Sequence, residues 1–101
     1  MTDYIRVIGA KDIPPGSGHV TEVNGQSIAI FNVDGTFFAL DNTCAHRGGP
    51  LGEGELDGEV VTCPWHGWEY NVRIGILLTT PSASVKTYEV KVDGDDVKVL
   101  L

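Results

Sequence analysis

Residues 20–40 read Val20-Thr21-Glu22-Val23-Asn24-Gly25-Gln26-Ser27-Ile28-Ala29-Ile30-Phe31-Asn32-Val33-Asp34-Gly35-Thr36-Phe37-Phe38-Ala39-Leu40. β-Branched and aromatic residues fill the short runs, and Asn24-Gly25 and Asp34-Gly35 break them. Both residues of a two-residue hairpin turn must accept positive φ, which Asn, Asp and Gly do at low cost, so the stretch predicts two successive hairpins. Outward from it, Ile5 and Val7 sit in a first strand that Pro14-Pro15-Gly16 ends. Near the other end Tyr88, Val90 and Val92 alternate with Glu89 and Lys91, Asp93-Gly94 lies in a turn, and Val97 and Val99 flank Lys98. That period of two puts one face in a core and one in water. No window holds a 3.6-residue apolar period, so little or no long helix is expected. The prediction is an all-β antiparallel sandwich or barrel base of about seven strands.

Residues 42–82 differ in texture. They are rich in Gly and Pro, contain both cysteines and two of the three histidines, and show strand patterning only at Glu59-Val60-Val61-Thr62 and Glu69-Tyr70-Asn71-Val72. This reads as a loop-rich insertion seated on the β base, within a single domain spanning residues 1–101.

Composition bounds the function. The chain has 101 residues and a net charge of −7. An acidic surface repels phosphate backbones, which argues against nucleic-acid binding and suits a partner with a basic docking patch. Two cysteines cannot staple a disulfide scaffold. The start of the chain lacks the apolar core of a signal peptide, and its longest apolar runs fall far short of the ~20 residues of a membrane span. A soluble, cytoplasmic protein is expected. There is no G-x-G-x-x-G or Walker motif, and no room for a dinucleotide fold beside anything else.

The chemistry concentrates in two short segments, Cys44-Ala45-His46 and Cys63-Pro64-Trp65-His66, with 16 residues between them. Each pairs a thiolate donor with an imidazole donor. Arg47-Gly48-Gly49-Pro50 follows the first, and Pro64 and Gly67 bracket the second, so backbone N–H groups can approach closely. Two Cys and two His could hold a structural zinc, but zinc fingers pair like ligands within each half. Mixed halves suit two loops gripping a binuclear cluster from both ends.

With Cys-x-His, a spacer of about 15–17 residues and Cys-x2-His, in the context Cys-Pro-x-His-Gly-Trp, the sequence resembles the Rieske iron–sulfur proteins along essentially its whole length. The resemblance implies the Rieske fold, a β base with an inserted cluster-binding subdomain near residues 42–82. It implies one 2Fe–2S cluster, Cys44 and Cys63 holding one iron and His46 and His66 the other through Nδ1. Two ferric ions, two sulfides and two thiolates sum to zero charge, whereas an all-cysteine cluster starts at −2. Adding an electron to the neutral centre costs less in a low-dielectric site, so His ligation raises the potential.

Departures within the family are informative. Members of the cytochrome bc type carry a disulfide between the ligand loops, at the positions of Gly49 and Trp65 here. They also carry a serine that donates to a sulfide where Trp68 stands. One donor fewer stabilises the extra electron less, which places the potential at the low end of the Rieske range, about −150 mV rather than +300 mV. Tyr70 keeps a hydroxyl for the thiolates. The motif is similar to that of the ferredoxins of bacterial ring-hydroxylating oxygenase systems for aromatic hydrocarbons, which implies a flavoprotein reductase as donor and a terminal oxygenase as acceptor. The Pro81 loop matches that family's cluster-shielding loop; Arg73-Ile74-Gly75 departs from a more usual Thr before the Gly. A terminal oxygenase also needs a mononuclear iron on two His and a carboxylate, and only His19 is left over. The chain thus reads as a monomeric electron carrier rather than an enzyme. Two alternatives stand beside it: a small Rieske-like subunit of an assimilatory nitrite reductase, and a zinc-stabilised binding module without redox role.

The remaining residues have plainer readings. His19 reads as a solvated strand residue, and Trp65 and Trp68 as shielding, with Trp65 partly exposed for docking. Arg47 pairs with Glu53 or Glu55, or rims a partner site. Glu53, Glu55, Asp57 and Glu59 read as a solvated hairpin face. Ile76-Leu77-Leu78 is either buried or an exposed apolar patch.

Overall fold

A computed structural model describes residues 4–43, 49–65, 67–78 and 84–100. The strands are β1 (Tyr4–Gly9), β2 (Gly18–Val23), β3 (Gln26–Val33), β4 (Thr36–Asp41), β5 (Glu55–Asp57), β6 (Val60–Thr62), β7 (Glu69–Asn71), β8 (Thr87–Asp93) and β9 (Asp96–Leu100). Among the described residues the only helical pieces are single 3₁₀ turns, Ala10–Asp12 and Leu51–Glu53. None of those residues forms a helix long and apolar enough to cross a membrane.

The expected hairpins form as written. Asn24 and Gly25 have φ of 51° and 80°, Asp34 and Gly35 51° and 94°. Each turn joins strands in tight register, Val23 opposite Gln26 and Val33 opposite Thr36. Asn32 fixes the second turn from within. Its Oδ1 accepts from the Gly35 N–H at 2.7 Å, and its Nδ2 donates to the Ile13 carbonyl at 2.7 Å.

Six strands make one antiparallel sheet in the order β1-β9-β8-β4-β3-β2. This is one strand fewer than the sequence suggested for the base. The segments at 59–62 and 69–72 pair with β5 in a separate three-stranded sheet, order β5-β6-β7. That sheet lies in the chain between β4 and β8, so the excursion leaves the base at Asp41 and rejoins it near Lys86. The two points are hydrogen-bonded to each other, Asp41 N–H to the Lys86 carbonyl at 2.8 Å.

Two apolar cores follow from the alternation of side chains along β3. Ile28 and Ile30 face one way, with Ile13, Val23, Ala39, Tyr88, Val97 and Val99; Ile5, Val7, Phe37 and Val90 pack against this group. Every strand of the large sheet contributes, which requires the sheet to curl around it. Ala29 and Phe31 face the other way, with Leu40, and meet Leu51, Val61, Cys63, Tyr70, Val72 and Leu77 of the excursion. β3 is therefore buried on both faces, which is why Ile28-Ala29-Ile30-Phe31 is a continuous apolar run and not an alternating one.

The joint where the chain returns carries a half-buried polar contact. Tyr88 lies opposite Ala39, and its hydroxyl donates to Asp41 Oδ1 at 2.7 Å. Burial, and then the bond to the Asp41 carboxylate, push the phenol from 10.0 up to about 12. The folded state holds this proton more tightly than the unfolded chain. Its contribution is complete below pH 10 and is lost as pH rises toward and through 12. In Tyr88→Phe, the fall in unfolding free energy across that interval should be smaller by about 2 kcal/mol. Urea unfolding of both proteins at a series of alkaline pH values measures it.

Candidate metal centre

The excursion builds its site from two segments and a wall. β6 ends at Thr62, and the chain reverses over residues 63–68 into β7. The Cys63 N–H donates to the Trp68 carbonyl at 2.7 Å, and the Gly67 N–H returns to the Cys63 carbonyl at 3.2 Å. Gly67 adopts φ of 73° at the corner. This closure turns Cys63 inward, and its residue is 1% exposed among Leu51, Val61, Tyr70 and Leu77.

The other half approaches from the base. Thr43 and Pro50 form an isolated antiparallel bridge that closes the segment between them. Gly49 then lies directly on the second turn: a Cβ added there would sit 2.7 Å from Cys63 Sγ and 3.1 Å from Trp65 Cβ. Only a residue without a side chain allows this approach. Of the four expected ligands, Cys44, His46 and His66 lie outside the described residues, as do Arg47 and Pro81. Cys63 is the one described, and the chain brings it against Gly49, three residues beyond the first expected ligand segment.

The wall comes from residues 76–78 and 84–85. Leu77 bridges to Tyr70, the Leu78 N–H donates to the Glu69 carbonyl at 2.9 Å, and Ile76 bridges to Ser84. The apolar triplet splits: Leu77 is fully buried, Ile76 half-buried, and Leu78 46% exposed. The two tryptophans divide likewise. Trp68 is half-buried against the core that contains Cys63, whereas Trp65 is 49% exposed. Tyr70 is fully buried in that same core.

Three smaller expectations have outcomes. His19 lies opposite Ile30, whereas Val20 and Ala29 face Gly52 of the excursion, so His19 is on the other face of the sheet from Gly52. Glu55 and Asp57 are exposed on β5, with Leu56 turned in opposite Val61, as a hairpin face would be. Glu59 pairs instead with Arg73, at 3.8 Å, and the guanidinium lies 5.9 Å from the centroid of the Phe38 ring. Sequence reading missed that contact, which ties the small sheet to β4; only the opposite charges of Glu59 and Arg73 could have hinted at it.

A buried thiol in apolar surroundings resists ionisation unless a cation compensates it. Close backbone approach, a thiol shut off from water and a neighbouring segment rich in Cys, His and Gly suit a metal–sulfur group. A profile of the Rieske [2Fe–2S] domain matches residues 3–89. The chain belongs to the Rieske [2Fe–2S] family, and the cofactor this implies is a Rieske 2Fe–2S cluster. It is 37% identical over 98 residues to the biphenyl dioxygenase ferredoxin subunit of Pseudomonas sp. (strain KKS102), covering 95% of this chain and 90% of that one. It superposes with a TM-score of 0.86 and 34% identity on a chain from the complex of reduced oxygenase and oxidised ferredoxin in carbazole 1,9a-dioxygenase, covering 95% and 91% of the two chains. A protein described as a nitrite reductase (NADPH) small subunit shares the fold, with a TM-score of 0.85 at 21% identity and coverage of 98% and 99%.

Gly49→Ala tests the approach. The methyl cannot be placed without moving Cys63 or Trp65, so iron content per purified chain should fall at least twofold. The far-UV circular dichroism of the β base should not change.

Proposed function

We propose that this chain is the ferredoxin component of an aromatic ring-hydroxylating oxygenase system. It takes single electrons from an NAD(P)H-dependent flavoprotein reductase and delivers them to a terminal oxygenase. In this reading residues 1–101 form one Rieske domain, residues 42–82 hold the cofactor, and Cys44 and Cys63 ligate one iron and His46 and His66 the other. The protein works in the cytoplasm as a monomer. What carries the reading is Gly49 seated on the buried Cys63 thiol, which joins the two ligand-bearing segments in a chain whose relatives are dioxygenase ferredoxins. The nitrite reductase alternative has likeness of fold alone in its favour.

When bound, the cluster supplies one-electron chemistry. The protein's residues supply its surroundings. Leu51, Val61, Tyr70 and Leu77 keep water from the thiol side, and a dry site makes each added charge more costly. Trp68 occupies the position two residues beyond His66 and brings an indole to it rather than a hydroxyl. Trp65 follows Cys63 by two residues and stands exposed, as does Leu78 on the strand edge beside Glu69. These apolar side chains on the Cys63 end of the molecule suit partners that must bring a redox centre close.

The first test is elemental and optical. Purified protein should contain two irons and two labile sulfides per chain and a visible spectrum that bleaches on reduction; colourless protein holding only zinc would overturn the proposal. A redox titration should give a negative midpoint, about −150 mV, and a clearly positive value would contradict the role given to Trp68. Neighbouring genes for an oxygenase α/β pair and a flavin reductase, rather than a large sirohaem subunit, separate the two redox readings.

Docking gives a further expectation. Buried tryptophans at interface centres are worth about 2 kcal/mol or more. Trp65→Ala should raise the ferredoxin concentration giving half-maximal oxygenase turnover by about tenfold or more, with the midpoint potential unchanged.

A further inference from the structure

The two ligand-bearing segments are anchored on different sheets. The second is closed by Cys63 and Trp68 between β6 and β7. The first lies in the chain between Asn42 and Leu51, and the polar groups of Asn42 hold those two ends to the base. Asn42 is 8% exposed. Its backbone N–H donates to the Ser27 carbonyl at 3.0 Å, and its carbonyl accepts from the Leu51 N–H at 2.7 Å. Its side-chain Oδ1 accepts from the Gly52 N–H at 2.7 Å, and its Nδ2 donates to Ser27 Oγ at 3.1 Å.

These four bonds do two things. Those to Leu51 and Gly52 pin the far end of the segment to its near end, outside the Thr43–Pro50 bridge. Those to Ser27 fix the joined ends to the start of β3. The seat is tight: a Cβ on Gly52 would lie 2.4 Å from Val20 Cγ2 and 3.1 Å from Asn42 Oδ1. A buried amide that meets a partner on each side allows one placement of Leu51 and Gly52 against β3, because any shift leaves a buried donor or acceptor unpaired.

We propose that Asn42 is a positioning residue for the cluster. It sets where the loop carrying Cys44 and His46 stands relative to Cys63 on the other sheet. The inference rests on the function proposed above, because it requires the cluster to span both segments. Asn32 provides an internal control. It is likewise a buried asparagine with both ends of its amide bonded, but it serves Ile13 and the Gly35 turn.

The experiment uses holoprotein of wild type, Asn42→Ala, Asn42→Asp and Asn32→Ala. The readouts are thermal midpoint, rate of cluster loss to an iron chelator, visible circular dichroism and the g-values of the reduced state. Both alanine variants should lower the midpoint. Asn42→Ala should lose its cluster at least tenfold faster than Asn32→Ala and show altered dichroism and g-values, which Asn32→Ala should not. Asn42→Asp should restore most of the retention, because its carboxylate accepts from Gly52 and from a rotated Ser27 hydroxyl. Rates that follow the thermal midpoint alone in both variants, or native spectra in Asn42→Ala, overturn the proposal. If Asn42→Ala does not fold, Ser27→Ala breaks only the Nδ2 bond. A threefold faster loss with the same spectral change then supports the proposal, and wild-type behaviour overturns it. Wild-type protein without iron and labile sulfide would instead bring down the parent function, a result visible before any variant is made.

Discussion

β3 must be dry on both faces, and the rest of the molecule follows from that constraint. Ile28 and Ile30 need a curled sheet on one side, which β1, β9 and β8 supply. Ala29 and Phe31 need cover on the other, and the base has no further strand to give. The excursion between β4 and β8 is that cover. Its apolar residues, Leu51, Val61, Tyr70 and Leu77, close the second core and at the same time enclose Cys63. Burial that stabilises the fold is therefore the same burial that keeps water from the thiol. Changes that loosen the second core act on the metal centre as well.

The centre itself is an encounter between two sheets. One half is held by backbone closure of the turn after β6, the other by the Asn42 side chain and the start of β3. They meet where the Gly49 backbone rests on Cys63. Where bc-type members place a disulfide, the chain has Gly49 beside Trp65. The described residues of the two segments, Gly49 on one side and Cys63 and Trp65 on the other, meet by close contact.

Much of this was legible in the sequence, for local reasons. Asn24-Gly25 and Asp34-Gly35 announce hairpins because positive φ is a property of a residue and its neighbour, without reference to the rest of the chain. The spacing of Cys44, His46, Cys63 and His66 marks the family because the motif is local, and the family match over residues 3–89 bears that out, with Cys63 the one of the four among the described residues. What could not be read depends on tertiary placement. β5 escaped notice because a three-residue strand with Glu55 and Asp57 facing out has only Leu56 to mark it. The base has six strands rather than about seven, because no local pattern fixes how many strands a sheet takes. Leu77 and Leu78 look alike on paper; which of them is covered depends on the strand edge beside Glu69. Asn42 looked like a loop residue, because the partners that give it meaning, Ser27 and Gly52, are 15 and 10 residues away.

The hydrogen bond between Asp41 and Lys86 has a topological meaning. The excursion leaves and returns through neighbouring positions on adjacent strands, about 5 Å apart. To the base, it is a closed loop through a single port. The entropic cost of closing such a loop grows only with the logarithm of its length. The base therefore does not dictate how long the excursion is. It requires only that whatever passes through the port returns an apolar face to Ala29 and Phe31. A cofactor-bearing segment could be lengthened, shortened or re-lined between Asp41 and Lys86 while the curled sheet kept its register, so electron-carrier properties can diverge on an unchanged frame.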